Sequence, residues 1–278
     1  MLLHPYIAKL RAFSVSALIQ SIWKYRGFVM GSVKREFQSK YRNSLLGMAW
    51  TVVQPLAMIV VYTVIFSKMM GSRLPGVTST FGYSIYLCAG VLTWGFFTEV
   101  VSRALNVFIE NANLIKKLSF PRLCLPVTVV LNASLNFAII FSLFVIFLLI
   151  TRAFPGWVFF AMFPVLAVQI LFSIGLGITL GVLNVFFRDV GQLFGVVLQF
   201  WFWLTPIVYN INALPSFVKP LIQLNPMTPI ITAYQQILVH QQSPDWTSLR
   251  AVTVISILLC IWGMLLFRKH AGELVDEL

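Results

Sequence analysis

Enzymatic chemistry needs acids, bases, nucleophiles or metal ligands that converge on one place, and the titratable residues of this chain are thinly spread. Its 278 residues hold 8 acidic side chains and 3 histidines. Glu99 is the only carboxylate well inside a run apolar enough to span a membrane, and His4, His240 and His270 all fall outside such runs. Glu99 precedes Arg103 by four residues, so an i,i+4 ion pair near the edge of a span is the role its spacing assigns. A proton-coupling role stays open, but no second intramembrane carboxylate is there to relay to. Cys88, Cys124 and Cys260 lack any CxxC spacing, so neither a metal site nor a disulfide framework is expected. The chain also lacks G-x-x-x-x-G-K-[ST], so it does not hydrolyse ATP in the P-loop manner and its work must be powered elsewhere.

The residues that do accumulate are aromatic, at 15% of the chain. Rings at membrane boundaries usually form belts, and Trp50 and Trp157 fit that reading. Trp94, Phe96, Phe97 and the run Phe200-Trp201-Phe202-Trp203 instead fall within apolar stretches. Four consecutive rings cover every side of a helix, so at least one faces inward. Aromatic faces stack on sugar rings as they do on lipid, which leaves a carbohydrate pathway and plain packing as the two readings.

The elements that must position these residues follow from composition. Hydrophobic residues make up 59% of the chain and charged residues 10%, against about a quarter charged in soluble domains. The chain is therefore expected to be a polytopic membrane protein forming one helical bundle. No cleavable signal peptide is expected, because the first long apolar run begins near Trp50. The net charge of +12 is read as positive-inside loops facing anionic headgroups rather than nucleic-acid binding.

Six spans are expected, over 50–70, 82–101, 125–150, 157–187, 190–206 and 252–267. Before them, Val29, Val33, Phe37 and Tyr41 recur every fourth residue while Lys34, Arg35, Gln38, Lys40 and Arg42 take the other faces. That pattern predicts an amphipathic helix over 25–42, lying in the headgroup plane or packing on the end of the bundle. Lys34, Arg35, Lys40 and Arg42, with Arg188 between the fourth and fifth spans, are the candidate headgroup contacts. Counted by loop, 15 Lys and Arg fall on one side and 5 on the other, which places both termini in the cytoplasm.

The segment 109–122 then lies on the cytosolic side, where Leu114, Ile115 and Leu118 could form an apolar knob beside Lys116 and Lys117. A plain connector is the alternative. At the Arg188–Asp189 corner, Asp189 with Gln192 resembles a capping box. Ser173, Gly177 and Gly181 repeat at small-xxx-small spacing and admit a close neighbouring helix. Asn132 and Asn136, one turn apart, suit interhelical hydrogen bonds better than substrate ligation.

After the fifth span come two short apolar pieces punctuated by Pro206, Pro215, Pro220, Pro226 and Pro229. Each is too short to cross a membrane. Paired short hydrophobic elements suggest backbone that enters the membrane and turns back, which survives only where protein or a water-filled cavity satisfies its polar groups.

In chain order, YRNSLLGMAWTVVQP (Tyr41–Pro55), NLIKKLSFPR (Asn113–Arg122), FRD (Phe187–Asp189), TPIVY (Thr205–Tyr209), Leu214–Pro215 and NPMTPI (Asn225–Ile230) resemble permease subunits of type-2 ABC exporters. The resemblance spans essentially the whole chain and is nearest to the polysaccharide-export branch, which moves lipid-linked O-antigen, capsule or teichoic acid. It implies an all-α membrane protein forming a single transmembrane domain over 1–278. The six transmembrane helices would follow an N-terminal amphipathic interface helix (25–42), with two short re-entrant helices in a periplasmic segment (207–240) between the fifth and sixth spans. It implies a homodimeric channel in the bacterial inner membrane, paired with two ATPase subunits that bind ATP and Mg, while this chain binds no cofactor. Asn113, Leu114, Ile115, Lys116, Lys117 and Leu118 would couple to the ATPase. Tyr62, Trp94, Phe97, Trp201, Trp203 and Tyr209 would line the path of a lipid-linked polysaccharide, O-antigen in the first instance. Export of a smaller amphiphile, such as a lipid or drug, is the nearest alternative. An integral membrane enzyme acting on lipid-linked sugars is the other, and it lacks the acid or histidine cluster it would need.

Overall fold

Apolar residues on every face make a helix that must be enclosed by others, and the stretch Gly82–Glu110 is the clearest case. In the computed structural model, which describes residues 20, 23–41, 49–65, 81–117, 121–211 and 214–277, this stretch is one helix at the centre of the bundle. Ala89, Phe97, Val100, Val101, Ala104 and Phe108 along it are fully buried. In chain order the helices are α1 (Arg26–Tyr41), α2 (Trp50–Tyr62), α3 (Gly82–Glu110), α4 (Ala112–Lys117), α5 (Cys124–Ile150), α6 (Met162–Phe186), α7 (Asp189–Trp203), α8 (Lys219–Leu224), α9 (Met227–Leu238), α10 (Trp246–Lys269) and α11 (Glu273–Asp276). A 3-10 turn, Gly156–Ala161, leads into α6. No strand occurs among the described residues.

Among the described residues, four helices are long and apolar enough to cross a membrane: α3, α5, the Gly156–Phe186 unit and α10. At 13 and 15 residues, α2 and α7 fall short of the ~20 that a full crossing takes.

Small residues set how closely these helices approach. On α6 a Cβ at Gly177 would sit 2.6 Å from the Ala104 Cβ, and one at Gly181 would sit 2.6 Å from the Ala104 carbonyl oxygen. The Gly177/Gly181 stripe therefore serves α3 of the same chain. Around the helix, a Cβ at Gly175 would meet the Cys260 backbone nitrogen of α10 at 2.8 Å, and one at Gly263 would meet the Thr179 hydroxyl at 2.7 Å. So α6 is clamped between α3 and α10 by two glycine faces. On the other side of α3, α5 packs through rings, Phe96 on Phe137 at 4.8 Å between centroids.

The capping-box expectation at Asp189 is corrected. Arg188 takes the N-cap position of α7 and no side chain caps it; Asp189 already lies inside the first turn. The Gly191 amide donates instead to Asn184 Oδ1 of α6 at 2.9 Å, so the preceding helix satisfies one of the open N–H groups that any helix start leaves. A side-chain cap forms instead at the start of α10. Asp245 accepts from the Thr247 amide at 2.9 Å and the Ser248 hydroxyl at 2.6 Å. The Ser248 and Thr247 hydrogen bonds pull its carboxyl down to about 2.

Candidate functional site

One corner of the bundle is built on the irregular backbone between α7 and α9. Leaving helical geometry at Leu204 exposes carbonyls that need donors, and the neighbouring helices supply them. From the first turns of α3, the Tyr83 hydroxyl donates to the Val208 carbonyl at 2.7 Å. The Tyr86 hydroxyl lies between the carbonyls of Tyr209 at 2.7 Å and Pro206 at 3.1 Å. From α9, Gln235 Nε2 donates to the Pro206 carbonyl at 3.0 Å.

Asn225, at the end of α8, ties the rest together. Its Oδ1 accepts from the Trp201 indole N–H at 2.7 Å and the Met227 amide at 2.9 Å. Its Nδ2 donates to the Leu204 carbonyl at 3.2 Å and the Thr205 hydroxyl oxygen at 2.9 Å. Both capacities of the amide are used. Sequence reasoning passed over Asn225, Tyr83, Tyr86 and Gln235 as individuals. The signal for Asn225 was present, since an Asn before Pro readily opens a turn or helix.

The aromatic candidates divide between inside and outside. Phe97 is fully buried and Trp94 nearly so, so in this conformation they form the wall behind a surface and expose almost none of their own. Trp201 is half-buried, its ring set edge-on to Phe97 at 5.4 Å and Trp94 at 6.2 Å. Trp203, two residues on and about 200° around the helix, is 65% exposed. It shares an outward stripe of α7 with Leu193, Val196 and Phe200. Tyr209 is half-exposed and its hydroxyl donates to the Trp203 carbonyl at 3.1 Å. The side chain of Tyr62 lies outside the described residues.

The opposite end carries a polar network. The Arg103 guanidinium of α3 pairs with Glu36 of α1 and lies 3.5 Å from Glu99 one turn away. Asn132 of α5 donates to the second Glu36 oxygen, and Asn136 donates to Glu99 at 2.9 Å. The i,i+4 pairing of Glu99 and the interhelical use of both asparagines match their spacing. Glu36 was missed, although it is the only acidic residue ahead of Glu99. Val29 and Val33 of α1 are buried where α1 packs on α5, and Lys34 and Arg35 stay exposed. A cleft of about 420 Å³ opens beside this network, bordered by Arg35, Glu36, Arg103, Asn111 and Leu114.

Within the 109–122 segment, Asn113 and Lys116 are exposed and Leu114 is half-exposed. Ile115, at 6% exposure, belongs to the same apolar cluster as Phe108, Val182 and the fully buried Leu274 of α11. The Arg122 guanidinium donates to the Ala271 carbonyl, fastening the C-terminal turn to the same base. Ile115 thus holds the segment to its own bundle, leaving Asn113, Leu114 and Lys116 at the surface. Arg188 is exposed and makes no ion pair among the described residues. Arg42 and Leu118, with the side chains of Lys40 and Lys117, lie outside the described residues.

Residues 29–239 match the family described as ABC-2 type transporter. A protein of Myxococcus xanthus named O-antigen export system permease protein RfbA is 28% identical over 264 residues, covering 94% of this chain and 99% of that one. A protein of the same name from Klebsiella pneumoniae is 27% identical, covering 84% and 88%. The polysialic acid transport protein KpsM of Escherichia coli is 18% identical, covering 87% and 93%. This all-helical membrane protein belongs to the ABC-2 type transporter family, as a transport subunit rather than an enzyme.

Proposed function

We propose that this chain is the permease half of an ATP-driven exporter that carries a lipid-linked polysaccharide, of the O-antigen class, out of the cytoplasm. The observation that carries this reading is near end-to-end similarity to a relative named as an O-antigen export permease, 94% of this chain against 99% of that one. Family membership implies an ATP-binding partner subunit, and ATP and Mg belong to that partner in this reading.

Two copies form the channel. The outward stripe of α7, with Leu193, Val196, Phe200 and Trp203 exposed, supports this, because a span that packs lightly on its own bundle has apolar surface left for a second copy. Six spans result when α2 and α7 are counted with the four longer helices, and α8 and α9 re-enter from the outer side. The hydrogen-bonded corner at 204–209 supports re-entry, since backbone at that depth must be fully partnered. Both termini lie on the cytoplasmic face of the inner membrane, together with the Arg103 network and α4. Asn113, Leu114 and Lys116 meet the ATPase there, and Lys34, Arg35 and Arg188 face headgroups or the partner.

On the pathway, Trp203 is the ring of the 201/203 pair that faces away from its own bundle, and Trp201 positions the corner. Deleting the gene should abolish surface polysaccharide while lipid-linked polymer accumulates inside, and the purified chain alone should hydrolyse no ATP. Surface polymer unchanged by the deletion would remove this function.

A further inference from the structure

On the outer side, α9 is buried nearly all round. Its half-exposed positions are Pro229, Thr232 and Gln236, spaced at three and four residues and therefore on one stripe. Two clefts border that stripe, of about 320 and 590 Å³, and both are lined by Ile211, Thr232 and Gln236. Together they make one groove running from His240 and Gln242, past Thr232, to Gln223 and Ser248.

The lining is mixed: Pro206, Ile211, Leu224, Val252 and Ile255 give apolar surface, and its polar groups are mainly amides and hydroxyls, with Asp245 as the single carboxylate and no Lys or Arg. Gln236 spends its Oε1 on the Asp245 amide at 3.1 Å. Its NH₂, the Thr232 hydroxyl and the side-chain amides of Gln223 and Gln242 make no hydrogen bond to another described residue. A phosphate-bearing headgroup would call for cations, and a purely apolar guest would leave these groups unpaired at a cost. Groups that both donate and accept, without net positive charge, match ligand hydroxyls, which do the same. The groove lies where α3 begins, α7 ends and α10 begins, away from Arg103, Arg188, Arg268 and Lys269. By the positive-inside rule that end is the outer one.

We infer that the groove along Thr232 and Gln236 holds a neutral, hydroxyl-rich saccharide segment of the chain being exported as it emerges. This rests on the polysaccharide-export reading and adds to it a second, outer sugar contact apart from the aromatic path.

The test uses the full permease–ATPase complex in cells with a permeabilised outer membrane and a Cys260→Ser background. Thr232→Cys is labelled with a membrane-impermeant maleimide in cells that make the polymer and in cells blocked in its synthesis. Trp157→Cys, at an 88% exposed position on the same side, is the reference. The expected result is a several-fold fall in labelling at 232 when polymer is made, with none at 157. Equal labelling at 232 in both strains overturns the inference. So does an absence of labelling in both, because the groove is then closed to water. Deletion of the gene tests the export reading separately: intact surface polymer after deletion overturns both readings, whereas lost polymer with unprotected Thr232→Cys overturns the groove alone.

Discussion

Asn225 gives the sharpest prediction, because one side chain makes four hydrogen bonds that join three pieces of chain. Asn225→Leu keeps the volume and removes all four. Hydrogen bonds between helices in membranes average about 0.6 kcal/mol, so the set is worth about 2–3 kcal/mol. Leaving the half-buried Trp201 indole N–H without an acceptor adds about 1 kcal/mol. The total of about 3–4 kcal/mol corresponds to a fall in Tm of about 6–16 °C for a chain this size. Asn225→Asp retains the acceptor for Trp201 and Met227 and loses only the two Nδ2 donors, so its fall should be about half as large. Trp201→Phe removes a single bond and keeps most of the ring packing on Phe97 and Trp94, and should cost about 1 kcal/mol. The assay is thermal unfolding of the purified protein in nanodiscs, with export measured in parallel and normalised to permease abundance. Asn225→Leu melting within about 2 °C of the parent, a span under 1 kcal/mol by the same conversion, would refute the claim that this amide organises the corner.

Other substitutions separate the remaining roles. Gly181→Ala places a Cβ 2.6 Å from the Ala104 carbonyl oxygen and should lower Tm by several degrees. Gly95→Ala meets nothing within 4 Å and should be neutral or stabilise by about 0.5–1 kcal/mol through helix propensity alone; equal effects from the two, read by the same melts, would contradict the α6–α3 packing. Leu114→Asp should leave the permease folded and inserted while export falls, whereas Ile115→Asp buries a charge in its own bundle and should lower the amount of folded permease itself, as read by membrane abundance and melting. Glu36→Gln should cost less than about 1 kcal/mol, because Glu36 and Arg103 are 43% and 30% exposed and screened by solvent. An export defect larger than that stability loss would mark the pair as positioning α1 rather than merely holding it.

What was legible in the sequence depended on how local the signal was. Apolar runs locate the longer helices but not all their ends: 125–150 was expected and Cys124–Ile150 is observed, whereas 82–101 stops nine residues short of Glu110 and 252–267 begins six after Trp246, because these helices continue through polar residues that the apolar run does not include. The Glu99–Arg103 pair was legible because both partners lie on one helix. Glu36 was not, because its partners Arg103 and Asn132 lie 67 and 96 residues away and no periodicity connects them. The aromatic run shows the boundary clearly. Helical spacing alone requires Trp201 and Trp203 to point apart. Which of them turns toward Asn225 depends on how α7 is rotated against α3 and α6, and that is fixed by packing rather than by the run.

The long central helix explains why the two ends of this protein belong to one mechanism. At 29 residues and a 1.5 Å rise, α3 is about 43 Å long, and it contains no proline to act as a built-in kink. One end carries Arg103, paired to α1, and runs within one residue of α4. The other carries Tyr83 and Tyr86, whose hydroxyls hold the 206–209 backbone. In between, Gly90 brings the helix so close that an added Cβ would lie 3.0 Å from Ile207 Cγ2 and 3.3 Å from Gln235 Nε2. The corner is therefore attached to the same rigid rod as the end that carries α4. Close-packed elements transmit strain and do not absorb it, so a displacement imposed at α4 would reach the 204–209 corner through α3 without an intervening joint. Among the hydrogen bonds described at that corner, those from Tyr83 and Tyr86 belong to α3, while Gln235 of α9 holds the Pro206 carbonyl that Tyr86 also reaches, and Asn225 at the end of α8 holds the Leu204 carbonyl. An axial shift of α3 against α9 must therefore break one set or carry α9 along with it.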